Sequence, residues 1–164
     1  MMKRLWIIGV LMMMLCGCAP VEDFETMKDV YASQELSEPA QIALTLPGDA
    51  ASPVMESENG KLYFCDGYEI MVQTMEAGDL NRTLQSLTGY TKDSLTIIET
   101  MTDDVRRYEC VWTAAGEAGD QVGRAVIMDD GSYHYCVSVM AHALESGSLQ
   151  ETWQELFTSF KIQS

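Results

Sequence analysis

Residues 122–141 read VGRAVIMDDGSYHYCVSVMA, and their reading decides the fold class. Two β-rich runs, Val122 to Met128 and Ser132 to Ala141, flank Asp129-Asp130-Gly131. Asp-Gly adopts the backbone angles of tight turns at little cost, so the segment predicts a β-hairpin. The same acids do not make a calcium loop, because the alternating acidic positions and the terminal Glu are missing. Upstream, Leu95 to Met101 is turned by Asp103-Asp104 into Val105 to Ala114. Ala115 to Gln121, with Gly116 and Gly119, is the next expected turn. Short connections make antiparallel neighbours, so these four strands are expected to form a meander.

Further out, Gln41 to Leu46 alternates like a strand and stops at Pro47-Gly48. Asp49 to Gly60 is polar and reads as a surface loop. Lys61 to Cys65 and Tyr68 to Met75 are joined by Asp66-Gly67, a second hairpin signal, with Tyr68, Ile70 and Val72 on one face. A helix is expected next: Asp79 caps it, Leu80, Leu84 and Leu87 form its stripe, and Gly89 ends it. Ser148 and Glu151 have capping-box spacing before a stripe of Leu149, Trp153, Leu156, Phe157 and Phe160. Phe160-Lys161-Ile162 either extends that helix or closes the chain as a short edge strand. The expected class is α+β: an antiparallel, meander-type sheet of about six to seven strands with two helices packed on it.

The N-terminus speaks to location. Lys3 and Arg4 precede an apolar run from Leu5 to Leu15, too short for the ~20 residues that cross a bilayer. Leu15-Cys16-Gly17-Cys18 follows, and this resembles the lipobox of bacterial lipoproteins, whose cysteine is acylated before cleavage. The resemblance implies a signal peptide over 1–17, lipidation of Cys18, an acidic tether over 18–38 and a single domain over 39–164. Within the tether, Phe24, Met27, Val30 and Tyr31 recur at near-helical spacing. The expected location is the extracytoplasmic face of the bacterial cell membrane, held by the lipid. Two acyl chains make such an anchor slow to leave. Cleavage removes two of the ten basic residues and none of the 25 acids, moving the net charge from −15 to −17. A surface that acidic repels phosphate backbones and excludes nucleic acid as a partner.

Element order carries a second resemblance. The meander through Tyr133-His134-Tyr135, the helix with Trp153 and Phe157, and the ending Ser159-Phe160 resemble the PsbP-like domains. The resemblance implies an α/β/α sandwich around a central antiparallel sheet, with lipid anchoring known among bacterial members. The chain is also similar to small lipoproteins of gut Firmicutes through Cys65-Asp66-Gly67-Tyr68, Tyr108-Glu109-Cys110-Val111-Trp112 and Asp129-Asp130-Gly131. Neither resemblance supplies a ligand or a site.

Cys65, Cys110 and Cys136 remain in the domain, either as one disulfide with a free thiol or as three free thiols. In the meander Cys110 and Cys136 are separated by a strand, about 10 Å between Cα atoms, beyond the roughly 7 Å limit of a disulfide. Cys65 with either one stays open. Cys110 shares a face with Tyr108 and Trp112, as a buried inert thiol does. His134 and Cys136 share a face at i and i+2, but no third group is placed to orient them. His134 and His142 stand too far apart for one metal, and no zinc spacing occurs. The methionines left after cleavage read as core filler rather than copper ligands. Asn81-Arg82-Thr83 matches a glycosylation sequon that has no meaning for a bacterial chain. The expectation is therefore no enzyme, no metal and no cofactor. The domain reads as a protein-interaction or assembly module for an envelope partner; the alternative is a small-ligand or divalent-ion-binding lipoprotein whose ligand is unknown.

Overall fold

The structure, a computed structural model, describes residues 38–116 and 119–163. The signal segment, Cys18 and the tether up to residue 37 lie outside the described residues. Alternation of apolar and polar side chains builds β3 (Gly60–Phe64) and β4 (Tyr68–Glu76), joined through Gly67 at φ +85°. After helix α1 (Leu80–Thr88) come β5 (Ile97–Thr102), β6 (Val105–Gly116), β7 (Gly119–Asp129) and β8 (Tyr133–His142). Helix α2 (Gln150–Ser159) follows. The fold is α+β with an antiparallel sheet, and the meander expected from residues 95–141 is present.

Its turns follow the sequence. Asp103 and Asp104 both hold positive φ, as a two-residue hairpin requires, and Gly131 takes φ +90° between β7 and β8. Asp79 caps α1 by accepting the Asn81 N–H, and Gly89 ends it in the left-handed conformation.

Four local expectations are corrected. A short strand, β2 (Met55–Ser57), lies inside the segment read as loop and pairs with β3. Only Ile42–Ala43 (β1) of the first expected strand is paired, and it joins β9 (Lys161–Ile162) in a separate two-stranded sheet. β6 and β7 continue until Gly116 faces Gly119, so their turn is tighter than Ala115 to Gln121. Helix α2 begins without a side-chain cap after Leu149, because the Ser148 hydroxyl donates to the Glu145 carbonyl instead.

The main sheet has the order β2-β3-β4-β8-β7-β6-β5. The meander therefore returns through β8 to lie beside β4, with Val72 opposite Val137. Each face buries one helix. On the α2 face, Ile70, Val126, Tyr135, Val137 and Val139 pack against Trp153, Leu156, Phe157 and Phe160. On the α1 face, Leu84 sits over Tyr108, Cys110, Ala125, Ile127 and Cys136. Polar contacts bind α2 to the sheet as well. Arg107 donates to the Phe157 carbonyl, Arg107 and Arg124 both donate to Glu109, and the Arg124 guanidinium stands 5.1 Å over the Phe157 ring. These half-buried contacts add specificity more than energy.

Candidate functional site

Helix α1 packs over the β6, β7 and β8 part of its face, and no residue of β2 or β3 belongs to that core. What it leaves open can be read from the register. Met55 faces Leu62, Leu62 faces Met71, and Met71 faces Ser138, one rung across β2, β3, β4 and β8. In the next rung Phe64 faces Glu69, and Glu69 faces Met140. Period-two alternation puts both rungs on the α1 face. Met55 is 66% exposed and Phe64 60% exposed, and Leu62, Met71 and Met140 are half-buried. None of the five belongs to either core. The result is a Met-rich apolar patch on the β2-β3-β4-β8 part of the sheet.

Glu69 sits inside this patch between Phe64 and Met140. Burial among apolar neighbours raises its pKa from the ordinary value, and among the described residues no partner offsets that shift. Beyond Met140 the same rung continues to Gly123 and Trp112, both of them buried. A side chain at Gly123 would run into the Trp112 ring, so this glycine is what lets the indole lie flat over the sheet.

The residues singled out from sequence are placed elsewhere. Cys65, Cys110 and Cys136 are free thiols. Cys110 faces Ala125 and Cys136 faces Ile127 across the intervening β7, so those two are not opposed. Desolvation pushes the Cys110 thiol up to about 11 and Cys136 further, away from the thiolate that redox or nucleophilic chemistry needs. Cys65, beside the β3–β4 turn, is half-buried and also shifted upward by burial. His134 and Cys136 do share the α1 face, as expected, but His134 is engaged by Thr83 at 2.8 Å and approached by Asp129 at 3.8 Å. Asp129 and Asp130 act as turn residues: Asp129 accepts the Gly131 N–H, and Asp130 accepts from Ser132, Tyr133 and the Tyr135 hydroxyl. Among the described residues, no three His, Cys, Asp or Glu side chains gather as a metal-holding group. None of the described helices is long and apolar enough to cross a membrane.

The methionine reading needs correction. Met75 and Met128 pack into the two cores, but Met55, Met71, Met101 and Met140 do not. The signal was available in β4, where YEIMVQTM carries apolar residues on both faces. A strand with one solvated face would alternate more cleanly.

A cleft lies on the other face beside α2. This cleft of about 260 Å³ is lined by Val111, Val122, Arg124 and Trp153, among others. Trp153 is 3% exposed, and its indole N–H has no hydrogen-bond partner among the described residues.

No known protein family and no curated protein sequence matches the chain. Solved structures do. A Bacteroides thetaiotaomicron protein is similar at a TM-score of 0.52 and 13% identity, covering 75% of this chain; the chain spans about 45% of that protein. LpqN of Mycobacterium tuberculosis, described as involved in cell envelope biogenesis, matches at 0.49 and 10% identity over 78% of this chain and 87% of its own. The Saccharomyces cerevisiae Ran-binding protein Mog1p matches at 0.46 and 13% identity over 74% and 89%. At 13% identity the Bacteroides likeness speaks to the α+β fold alone.

Proposed function

We propose that the chain is a bacterial lipoprotein, anchored through Cys18 to the extracytoplasmic face of the membrane, whose domain is a non-catalytic module for docking an envelope protein. The observation that carries this reading is the open patch of Met55, Leu62, Phe64, Met71 and Met140, which belongs to neither core. Apolar side chains left outside a core and partly exposed mark interaction sites, and methionine adapts to a partner's contour. Moving a large apolar side chain such as Phe64 from water into an interface gains ~1.5–3 kcal/mol. The helix on each face of a central antiparallel sheet is the arrangement that the PsbP-like resemblance implies, and it supports that reading too.

A photo-crosslinking residue placed at Met71 in intact cells tests the docking role. The expected result is one recurrent partner band, absent when the crosslinker replaces Glu151 on α2. Equal labelling from both positions, or none from Met71 at good expression, overturns it. The anchor is tested separately by Cys18→Ser, which should move the protein from the membrane fraction to the soluble fraction.

The small-ligand alternative is favoured by one observation, the cleft beside α2 lined by Arg124 and by Trp153, whose N–H has no partner among the described residues. A screen of small carboxylates, read on the Trp153 indole resonance, would support it by a saturable shift and sink it by none.

A further inference from the structure

The same patch has a chemistry that selects its partner, an inference that rests on the docking role above. We propose that it takes a cationic amphipathic helix of a partner protein, with apolar side chains seated on Met55, Leu62, Phe64, Met71 and Met140 and a Lys or Arg paired with Glu69.

Three observations point to this. The first is size. The patch crosses four strands, β2, β3, β4 and β8, roughly 14 Å at ~4.8 Å per spacing, close to the ~10–12 Å diameter of a helix with its side chains. Its own edge, β2, is only three residues long, so an added strand would gain few backbone hydrogen bonds.

The second is Glu69. Its carboxylate lies between Phe64 and Met140, and no ion pair or hydrogen bond reaches it among the described residues. Covering it with a wholly apolar partner would strand a charge, which costs far more than the contact returns. A partner cation at that point removes the penalty and specifies register at the same time.

The third is the rest of the surface. With 25 acidic against ten basic residues, the chain repels an acidic segment and steers a basic one toward it. The same excess opposes an anionic lipid surface. A membrane would also have to bury Glu69 unpaired.

The test uses the lipidated chain in neutral maltoside micelles and a 14-residue Leu/Lys amphipathic peptide, with binding read by fluorescence anisotropy at fixed salt. Saturable binding is expected, weakened at least tenfold by Glu69→Gln and by Phe64→Ser, and unchanged by Glu151→Gln. Phe64 is exposed, so its substitution leaves the core intact. If Glu151→Gln weakens binding as much as Glu69→Gln, the attraction is general charge and the inference falls. If a Leu/Ser peptide binds as tightly and Glu69→Gln is silent, the patch docks partners without charge selection. In that case the inference falls and the docking role stands. If no peptide binds but the Met71 crosslink persists, the helix chemistry is wrong; if both are absent, the docking role fails as well. Phe64-dependent binding to phosphatidylglycerol vesicles would replace the protein partner with the membrane and overturn the inference.

Discussion

Thr83 Oγ1 and His134 Nδ1 lie 2.8 Å apart where α1 meets β8, and His134 is 1% exposed. Thr83 belongs to the tripeptide that resembles a sequon, and its hydroxyl is committed to the interior.

Burial lowers the His134 pKa below 6.5, against the pull of Asp129 and Asp130 in the other direction. The unfolded chain therefore takes up this proton before the folded one does. The contribution of His134 is fully present above about pH 6.5 and is lost as the pH falls through that value toward the folded-state pKa. Urea unfolding from pH 7.5 to 5 should show stability declining in this window, and His134→Gln should flatten that slope. Thr83→Val, which removes the hydroxyl facing the imidazole Nδ1, should cost ~1–3 kcal/mol at pH 7.5.

Asp130 ties the β7–β8 turn to the α2 face. Burial alone would raise its pKa, but the N–H groups of Tyr133 and Ser132 and the Tyr135 hydroxyl hold it below the ordinary value. This contribution is present at neutral pH and lost on acidification from the ordinary carboxylate value down through the folded-state pKa. Asp130→Ala should destabilise by ~1–3 kcal/mol at pH 7, with a smaller loss at pH 3. Thermal melts at both pH values check it.

Gly123 is required by its neighbour. Gly123→Ala drives a methyl into the Trp112 ring, and such overpacking costs ~1–3 kcal/mol. The double variant with Trp112→Leu should recover part of that loss, which a denaturant midpoint would reveal.

Thiol chemistry offers a direct check on the cysteines. With Cys110 near 11 and Cys136 higher, neither should be alkylated by iodoacetamide at pH 8 in the native protein, whereas half-buried Cys65 should react slowly. Peptide mapping should find all three modified in guanidinium. Rapid native modification of Cys136 would mean that α1 opens readily.

Part of this was legible in the residues. Asp66-Gly67, Asp103-Asp104 and Asp129-Asp130-Gly131 announced their hairpins because turn geometry is local, and Asp79 with Gly89 bounded α1 for the same reason. The pairing of Ile42 with Ile162 was not legible, since two short apolar strands 120 positions apart leave no local sign that they meet. Ser148 looked like a cap by spacing, yet its hydroxyl found the nearer Glu145 carbonyl. Alternation in β3 separated Tyr63 from Phe64, one inward and one outward, without saying whether anything covers the outward face.

By itself the sequence determined the α+β class, the hairpins, both helices and the strong acidity, because each depends on residues close in the chain or on composition alone. Only the tertiary structure decided that β8 lies against β4 and that α1 stops short of Met71, Glu69 and Phe64. Those outcomes depend on which distant strands pair and on how far a nine-residue helix reaches across a seven-stranded sheet. Coverage of a surface is a relation between elements, and it leaves an ordinary run of alternating residues open on one face.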